Sequence, residues 1–400
     1  MTASSRCACP DRQSLAVGGG PVRCPTSQQE RTISTTAGPH EPPTTPGPEP
    51  AVLTRLRGQV DAALQVALDH ALPRIEARHA SMAPLTAELR AFMAGGKRIR
   101  PALLLLGFEA AGGRRLEAVE GPALALELLH TCALLHDDVI DQAPTRRGRA
   151  SVHDAFAARH RTERWSGDPE AYGRAVAILL GDLAFVEADA LFLSGQVPDQ
   201  VLLAAFRRFT VLREEVMIGQ ALDLHAATAR TTDRDLALQI ATLKSGRYSV
   251  ARPLELGAIL AGADAELLAG LRAFGDPLGR AFQLADDLLG VFGDTATTGK
   301  SASSDLAEGK RTLLIAEAAA RLDPQDHRQL EEVLGHPEFD TATEQRIRDL
   351  LEDCGARAAT EREIERSITS ARAALAGLEL PGTARASLQA VATYLGNRTS

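Results

Sequence analysis

The sequence predicts an all-α protein, and three observations carry that reading. Apolar residues recur at three- and four-residue spacing, as in Leu53, Val60, Leu64, Val66, Leu68 and Leu72, which is the period of one helix face. Good helix formers, chiefly Ala, Leu, Glu and Arg, dominate the chain. Strand signals are nearly absent: aromatic residues make up 4% of the sequence, and no alternating run of Val, Ile and Thr occurs.

Taken in order, residues 1–50 are a different material from the rest. Gly18-Gly19-Gly20-Pro21 and Pro42-Pro43-Thr44-Thr45-Pro46-Gly47-Pro48 cannot bury enough surface to fold, so a disordered tail rich in Pro, Gly and Thr is expected there. From about Ala51 to residue 400 the pattern stays helical, with material for one large single-domain bundle. Gly112-Gly113, Gly121-Pro122, Gly167-Asp168-Pro169, Gly195, Pro198 and Gly262 punctuate it, and Ser166-Gly167-Asp168-Pro169 reads as a surface turn. Two long buried helices are expected, from Ala123 to about Asp141 and from Pro277 to about Phe292. Each would carry an acidic cluster at its C-terminal end.

Composition narrows the function classes. Hydrophobic residues are 44% and charged residues 24%, as in a globular protein. A net charge of −8 argues against nucleic acid as a partner. Basic residues cluster instead at Lys97-Arg98-Ile99-Arg100 and Arg146-Arg147-Gly148-Arg149, near acidic motifs, which suits an anionic ligand bridged by metal. The five cysteines, Cys7, Cys9, Cys24, Cys132 and Cys354, are odd in number and irregular in spacing. They argue against a disulfide framework and fit a reducing cytoplasm. No apolar run reaches the roughly 18 residues of a membrane span, and the N-terminus lacks the apolar core of a signal peptide.

Chemistry enters with the clusters Asp137-Asp138-Val139-Ile140-Asp141 and Asp286-Asp287-Leu288-Leu289-Gly290. Each interrupts a run that should be buried, and burying unpaired carboxylates is costly. Metal ions are the economical explanation. On a helix Asp137 and Asp141 share a face, about one turn apart. Two such faces pointing at each other would form an oxygen-lined cage for a hard cation such as Mg²⁺. After a turn at Pro144 comes the pair Arg146-Arg147, suited to gripping a metal-bound phosphate.

At these residues the chain resembles the trans-isoprenyl diphosphate synthases, the polyprenyl synthetase family. The matching elements are Gly95-Gly96-Lys97-Arg98-Ile99-Arg100-Pro101, Leu135-His136-Asp137-Asp138-Val139-Ile140-Asp141 and Arg146-Arg147-Gly148. They continue with Gly181-Asp182, Gly219-Gln220-Ala221-Leu222-Asp223, Lys244-Ser245 and Phe282-Gln283-Leu284-Ala285-Asp286-Asp287. Gly299-Lys300 and Asp305-Leu306-Ala307-Glu308-Gly309-Lys310 complete the set, over residues 85–315.

The resemblance implies an isoprenoid synthase bundle with a central active-site cavity, and a head-to-tail (1′–4) condensation. Isopentenyl diphosphate would be joined to an allylic diphosphate: dimethylallyl, geranyl or farnesyl. The allylic C–O bond breaks, the isopentenyl double bond attacks the carbocation, and a proton is lost, in this family to the departing pyrophosphate. It further implies about three Mg²⁺ ions per site as Lewis acids and a homodimer. Asp137, Asp141 and Asp286 would ligate metal, with Asp138 and Asp287 supporting. Arg146, Lys244 and Lys300 would hold the allylic diphosphate and stabilise its departure. Lys97, Arg100, His130 and Arg147 match the isopentenyl diphosphate site, with Lys310 closing over it. Ser245 and Gln283 would face the developing cation, and Gln220 and Asp223 would stand behind the metal ligands. Arg98 and Arg149 read as solvated or structural, and Asp182 as a cap or hydrogen-bonding anchor.

One departure is visible: Gly290 stands where many members carry a third aspartate, and Asp294, one turn further, is expected to compensate in part. Product length is expected to depend on Cys132 and Ala133, both small where an aromatic would stop growth at fifteen carbons. Leu129, Glu127 and Leu126 form the next layer. A twenty-carbon product, geranylgeranyl diphosphate, is expected, or a longer chain. The insert Arg161–Pro169 and the second motif are most like bacterial geranylgeranyl diphosphate synthases. Two other classes stand against this reading. A terpene cyclase would need no Gly96-Lys97-Arg98-Ile99-Arg100 element, and a non-catalytic partner subunit would be expected to lose an acidic cluster or the basic set.

Overall fold

The computed structural model describes residues 48–293, 304–336 and 339–396, and helices make up most of them. Residues 1–47 of the expected tail therefore lie outside the described residues, as do Lys300 and Asp294. The first helix, α1 (Ala51–Glu76), begins where the Pro-rich stretch ends and buries Leu53, Leu56, Val60, Leu64, Leu68 and Leu72. Val66 had been grouped with that stripe, but it is 70% exposed, because it falls off the three-and-four spacing of its neighbours.

Helix α2 (Ala83–Met93) leads into α3 (Ile99–Ala110), which is buried on nearly every face. Helix α3 packs on α9 (Arg252–Leu260) at backbone contact, since a Cβ on Gly107 or Gly257 would overlap the Leu254 or Leu104 carbonyl. Helix α4 (Glu120–Ile140) packs on α3 and α7 (Asp199–Ala229) on α9, while α5 (Val152–Thr162) packs on α6 (Pro169–Phe192). Helix α4 packs mainly on α6. Gly121-Pro122, read as punctuation, lies inside the first turn of α4, where proline's missing N–H costs nothing. Asp168 caps α6 by accepting from the Glu170 N–H at 2.9 Å, in the exposed turn the sequence marks. Asp182 is no cap: it lies in the middle of α6.

After α8 (Arg234–Ile240) the chain continues without a break into a π-helical segment, Ala241–Ala251, and then into α9. Wide helices of this length are rare and gather at functional sites. Glycines in the segment and on its neighbours admit it: side chains at Gly219, Gly246 or Gly275 would strike the backbone of Lys244, Gly279 or Ala251.

Helix α10 (Ala265–Phe292) is longer than expected. Its start is Asp264, whose carboxylate caps the Leu267 N–H at 2.9 Å, and Pro277 lies within it. An internal proline costs about 3 kcal/mol or more. The buried stripe Leu271, Phe274, Leu278, Leu284, Leu288 and Val291 outweighs that cost. The later helices include Leu313–Ala319, Thr341–Asp353 and Ala356–Ala376. The last packs along α10, and Leu314, Ile315, Ile347 and Ile364 form a second core beneath its acidic end.

Candidate active site

Both acidic motifs end a helix, as the sequence predicts. Asp137 lies in the last turn of α4, and Asp141 follows as its cap residue, with its N–H on the Asp137 carbonyl at 2.8 Å. Asp138 is the buried member, 1% exposed, and is held by Arg146, whose Nε donates to Oδ1 at 2.7 Å. On α10, Asp286 is exposed while Asp287 is buried and accepts from Gln283 Nε2 at 2.7 Å.

Arg146 and Arg147 reach the site through a feature the sequence did not suggest. Thr145–Arg146 pairs antiparallel with Arg149–Ala150, joined by Arg147 (φ 53°) and Gly148 (φ 74°). Positive φ at both central residues is the geometry of the tightest hairpin turns. The turn lays the Arg147 guanidinium near Gly96 and the Phe92 carbonyl.

Lys244 joins three elements. From the π-helical segment its Nζ donates to Asp223 of α7 at 2.5 Å and lies 4.0 Å from Asp137 of α4. Burial pulls its ammonium down, but the two carboxylates outweigh that and raise it. Gln220 precedes Asp223 by one turn on the same α7 face. Ser245, beside Lys244, is half-buried.

A second cluster is cationic. His130 lies on α4, and burial, followed by the guanidiniums of Arg100, Arg147, Arg146 and Arg98, holds its imidazole well below the usual histidine range. It is therefore neutral. Its Nδ1, Arg100 Nε and the Tyr248 hydroxyl are buried without hydrogen-bond partners among the described residues, as expected where a ligand completes the set. Lys97, close before Arg100 in sequence, is exposed. Arg98 is structural and not solvated: 5% exposed, it bonds Asp61, Glu127 and the Met93 carbonyl. Glu127 is thereby committed to Arg98. Arg149 is exposed and pairs with Glu88.

The segment after Ser304 explains Gly290. A Cβ at position 290 would overlap the carboxylate of Asp305. Asp305 thus occupies the space of a third aspartate's side chain, a residue that sequence reasoning quoted but gave no role. Lys310 Nζ donates to Asp305 at 2.8 Å and forms an ion pair with Glu308 at 2.6 Å. Its charge also reaches Asp287 and Asp141, one from each motif. Burial pushes Asp287 up to about 8, with Asp305 and Asp286 adding to the shift. Burial and Asp137 raise Asp141 to about 6.

These uncompensated carboxylates fit a divalent cation. Among the described residues, however, no three groups of ligating type lie close enough to enclose a metal. Magnesium retains water and is bound through one or two carboxylates together with substrate phosphates, which suits two separate acidic helix ends.

The polyprenyl synthetase family model matches residues 83–353. A (2E,6E)-farnesyl diphosphate synthase of Mycobacterium tuberculosis is 32% identical over 306 residues, spanning 76% of this chain and 80% of that one. The crystal structure of geranylgeranyl pyrophosphate synthase from Corynebacterium glutamicum, complexed with isoprenyl diphosphate and magnesium, superimposes with a TM-score of 0.83. The two are 37% identical, and the match covers 86% of this chain and 99% of that one. A Caulobacter crescentus polyprenyl synthase, complexed with calcium and isoprenyl diphosphate, gives 0.71 at 30% identity, covering 90% and 100%. With the family model matching well over half its length, and its two acidic helix ends and basic elements in order, the chain belongs to the polyprenyl synthetase family.

Proposed function

We propose that this protein condenses isopentenyl diphosphate with an allylic diphosphate, head to tail, to give a trans-polyprenyl diphosphate, chiefly geranylgeranyl diphosphate. The observation that carries the proposal is a pair of differently charged clusters, which we read as two anion subsites. One combines Asp137, Asp141, Asp286 and Asp287 with Lys244. The other gathers Arg100, Arg147 and neutral His130, with Glu127 already taken by Arg98. A metal-dependent allylic diphosphate suits the first and a metal-free isopentenyl diphosphate the second.

Mg²⁺, about three ions by family resemblance, would be held by Asp137, Asp141 and Asp286 and supply Lewis-acid neutralisation of the leaving pyrophosphate. Lys244, fixed by Asp223, adds a cation where negative charge develops on the leaving group. Arg146 is anchored by Asp138 through Nε and Nη2, leaving its remaining edge for phosphate. Gln283 gives its amide N–H to Asp287, and its carbonyl oxygen would be the atom to face the developing cation. The Ser245 hydroxyl would take the same role. Lys310, whose charge reaches Asp287 and Asp141, adds to the basic set, and by family resemblance Lys300 would hold the allylic diphosphate.

Below Asp137, Cys132 and Ala133 are small, so the growing chain passes them to Leu129 and Leu126, both buried. A homodimer is part of the proposal. Leu179, Val186 and Leu193, spaced by seven on and just after α6, are 62%, 61% and 53% exposed, and Met217, Ile218 and Leu224 of α7 add to an apolar surface. We also place the protein in the cytoplasm, as a single catalytic domain over residues 51–400. Contrary to the expectation from the sequence, one stretch among the described residues, Leu116–Ile140, is long and apolar enough to span a membrane, but 72% of its apolar window is buried inside the fold. The test is pyrophosphate release by purified protein. It should require both diphosphates and Mg²⁺, and release from the allylic substrate alone, with cyclic products, would favour a cyclase instead.

A further inference from the structure

We infer that Ser249 and Tyr248 set the orientation of Arg100, so that one wide helix, Ala241–Ala251, fixes both diphosphate subsites at once. The inference rests on the reading of Arg100 as part of the isopentenyl diphosphate subsite. Arg100 Nη2 donates to Ser249 Oγ at 2.8 Å, and its guanidinium lies 4.3 Å above the Tyr248 ring. Both supports are buried, at 2% and 4% exposure.

The contrast with other guanidiniums in the fold is informative. Arg98 and Arg252 are each paired with two carboxylates, Asp61 and Glu127 for the first, Glu215 and Glu255 for the second. Among the described residues Arg100 has none. A hydroxyl and a ring face hold it in place without neutralising it. A partly buried charge that is positioned yet uncompensated is arranged for an anion. Arg100 Nε, buried and without a hydrogen-bond partner, agrees with that.

The wide helix explains how these supports come to share a segment with Lys244. In a helix bonded from i to i+5, Ser249 comes over Lys244, as i+4 does in an α-helix. In an α-helical register Ser249 would be turned well away from the Lys244 face. The register is locked by close backbone approaches at Gly219, Gly246 and Gly275. Lys244 at one turn is tied to Asp223 and faces Asp137, and Tyr248 and Ser249 at the next hold Arg100. The distance between the two subsites is thus fixed by one rigid element.

The experiment is steady-state kinetics with each substrate varied in turn. Ser249→Ala is expected to raise KM for isopentenyl diphosphate by about tenfold, the effect of one lost charge-assisted hydrogen bond. KM for the allylic diphosphate should rise far less. Tyr248→Leu, which removes the ring, should behave like Ser249→Ala, and Tyr248→Phe, which keeps it, should be affected less than Tyr248→Leu. The Tyr248 pair decides the matter if Ser249→Ala does not fold. An equal rise in both KM values, or Phe and Leu variants alike, would overturn the inference. Arg100→Ala separates the two levels. If it leaves the isopentenyl KM unchanged, the subsite reading itself fails; if it raises that KM while Ser249→Ala does not, only the positioning role fails.

Discussion

Gly290→Ala offers a prediction whose sign depends on the structure. Gly290 lies near the end of α10, four residues after Asp286. At an open helical position, alanine stabilises by roughly 0.5–1 kcal/mol over glycine. Here the added Cβ would overlap the Asp305 carboxylate. Displacing Asp305 disturbs its 2.8 Å bond from Lys310, and a charged hydrogen bond is worth roughly 1.5–3 kcal/mol. The balance is a loss of about 1–2 kcal/mol. At about 2–4 °C per kcal/mol for a chain somewhat smaller than this one, Tm should fall by a few degrees. Removing the obstacle reverses the sign, so on an Asp305→Ala background Gly290→Ala should stabilise. Calorimetric melts of the four proteins without metal form a double-mutant cycle. A single Gly290→Ala variant that is more stable than the parent, or the same sign on both backgrounds, would refute the placement of Asp305.

Three further outcomes are expected. Asp137→Ala or Asp286→Ala should lower turnover by at least about 100-fold while leaving the melting profile folded, measured by pyrophosphate release and circular dichroism; near-normal rates would sink the metal assignment. Cys132→Phe or Ala133→Phe should shorten the product to fifteen carbons by mass spectrometry, and an unchanged product would put the floor elsewhere. The raised Asp287 and Asp141 mean that the folded chain keeps protons its unfolded form, with aspartates near 3.9, has lost. Stability without metal should therefore fall as pH rises from about 4 towards 8, and Mg²⁺ should flatten that slope. Denaturant titrations near pH 5 and pH 8, with chelator and with Mg²⁺, check both.

Much of this was legible in the residues because helix period and acidic clusters are local signals. Asp137 and Asp141 share a face by spacing alone, and burial of the flanking leucines follows from the same pattern. What was not legible depends on tertiary contacts. Pro277 reads as a helix start, yet packing of the α10 stripe carries the helix through it. The two-residue hairpin that presents Arg147 is too short to leave a strand signature. Nothing in the spacing of Lys244 and Ser249 announces a π-helix, since its register is imposed by glycines on α7 and α10. Asp305 fills the place beside Gly290 from fifteen residues away, a pairing no single motif contains. Asp182 fitted a cap by residue type, but α6 runs straight through it.

The most direct test of the central claim is to incubate the purified protein with Mg²⁺, isopentenyl diphosphate and, in parallel, dimethylallyl, geranyl or farnesyl diphosphate. The hydrolysed products would then be sized by mass spectrometry. Elongation with a dominant twenty-carbon alcohol is expected. A ladder of longer alcohols would keep the condensation but contradict the assigned chain length. No elongation from any primer by a folded protein would contradict the account as a whole.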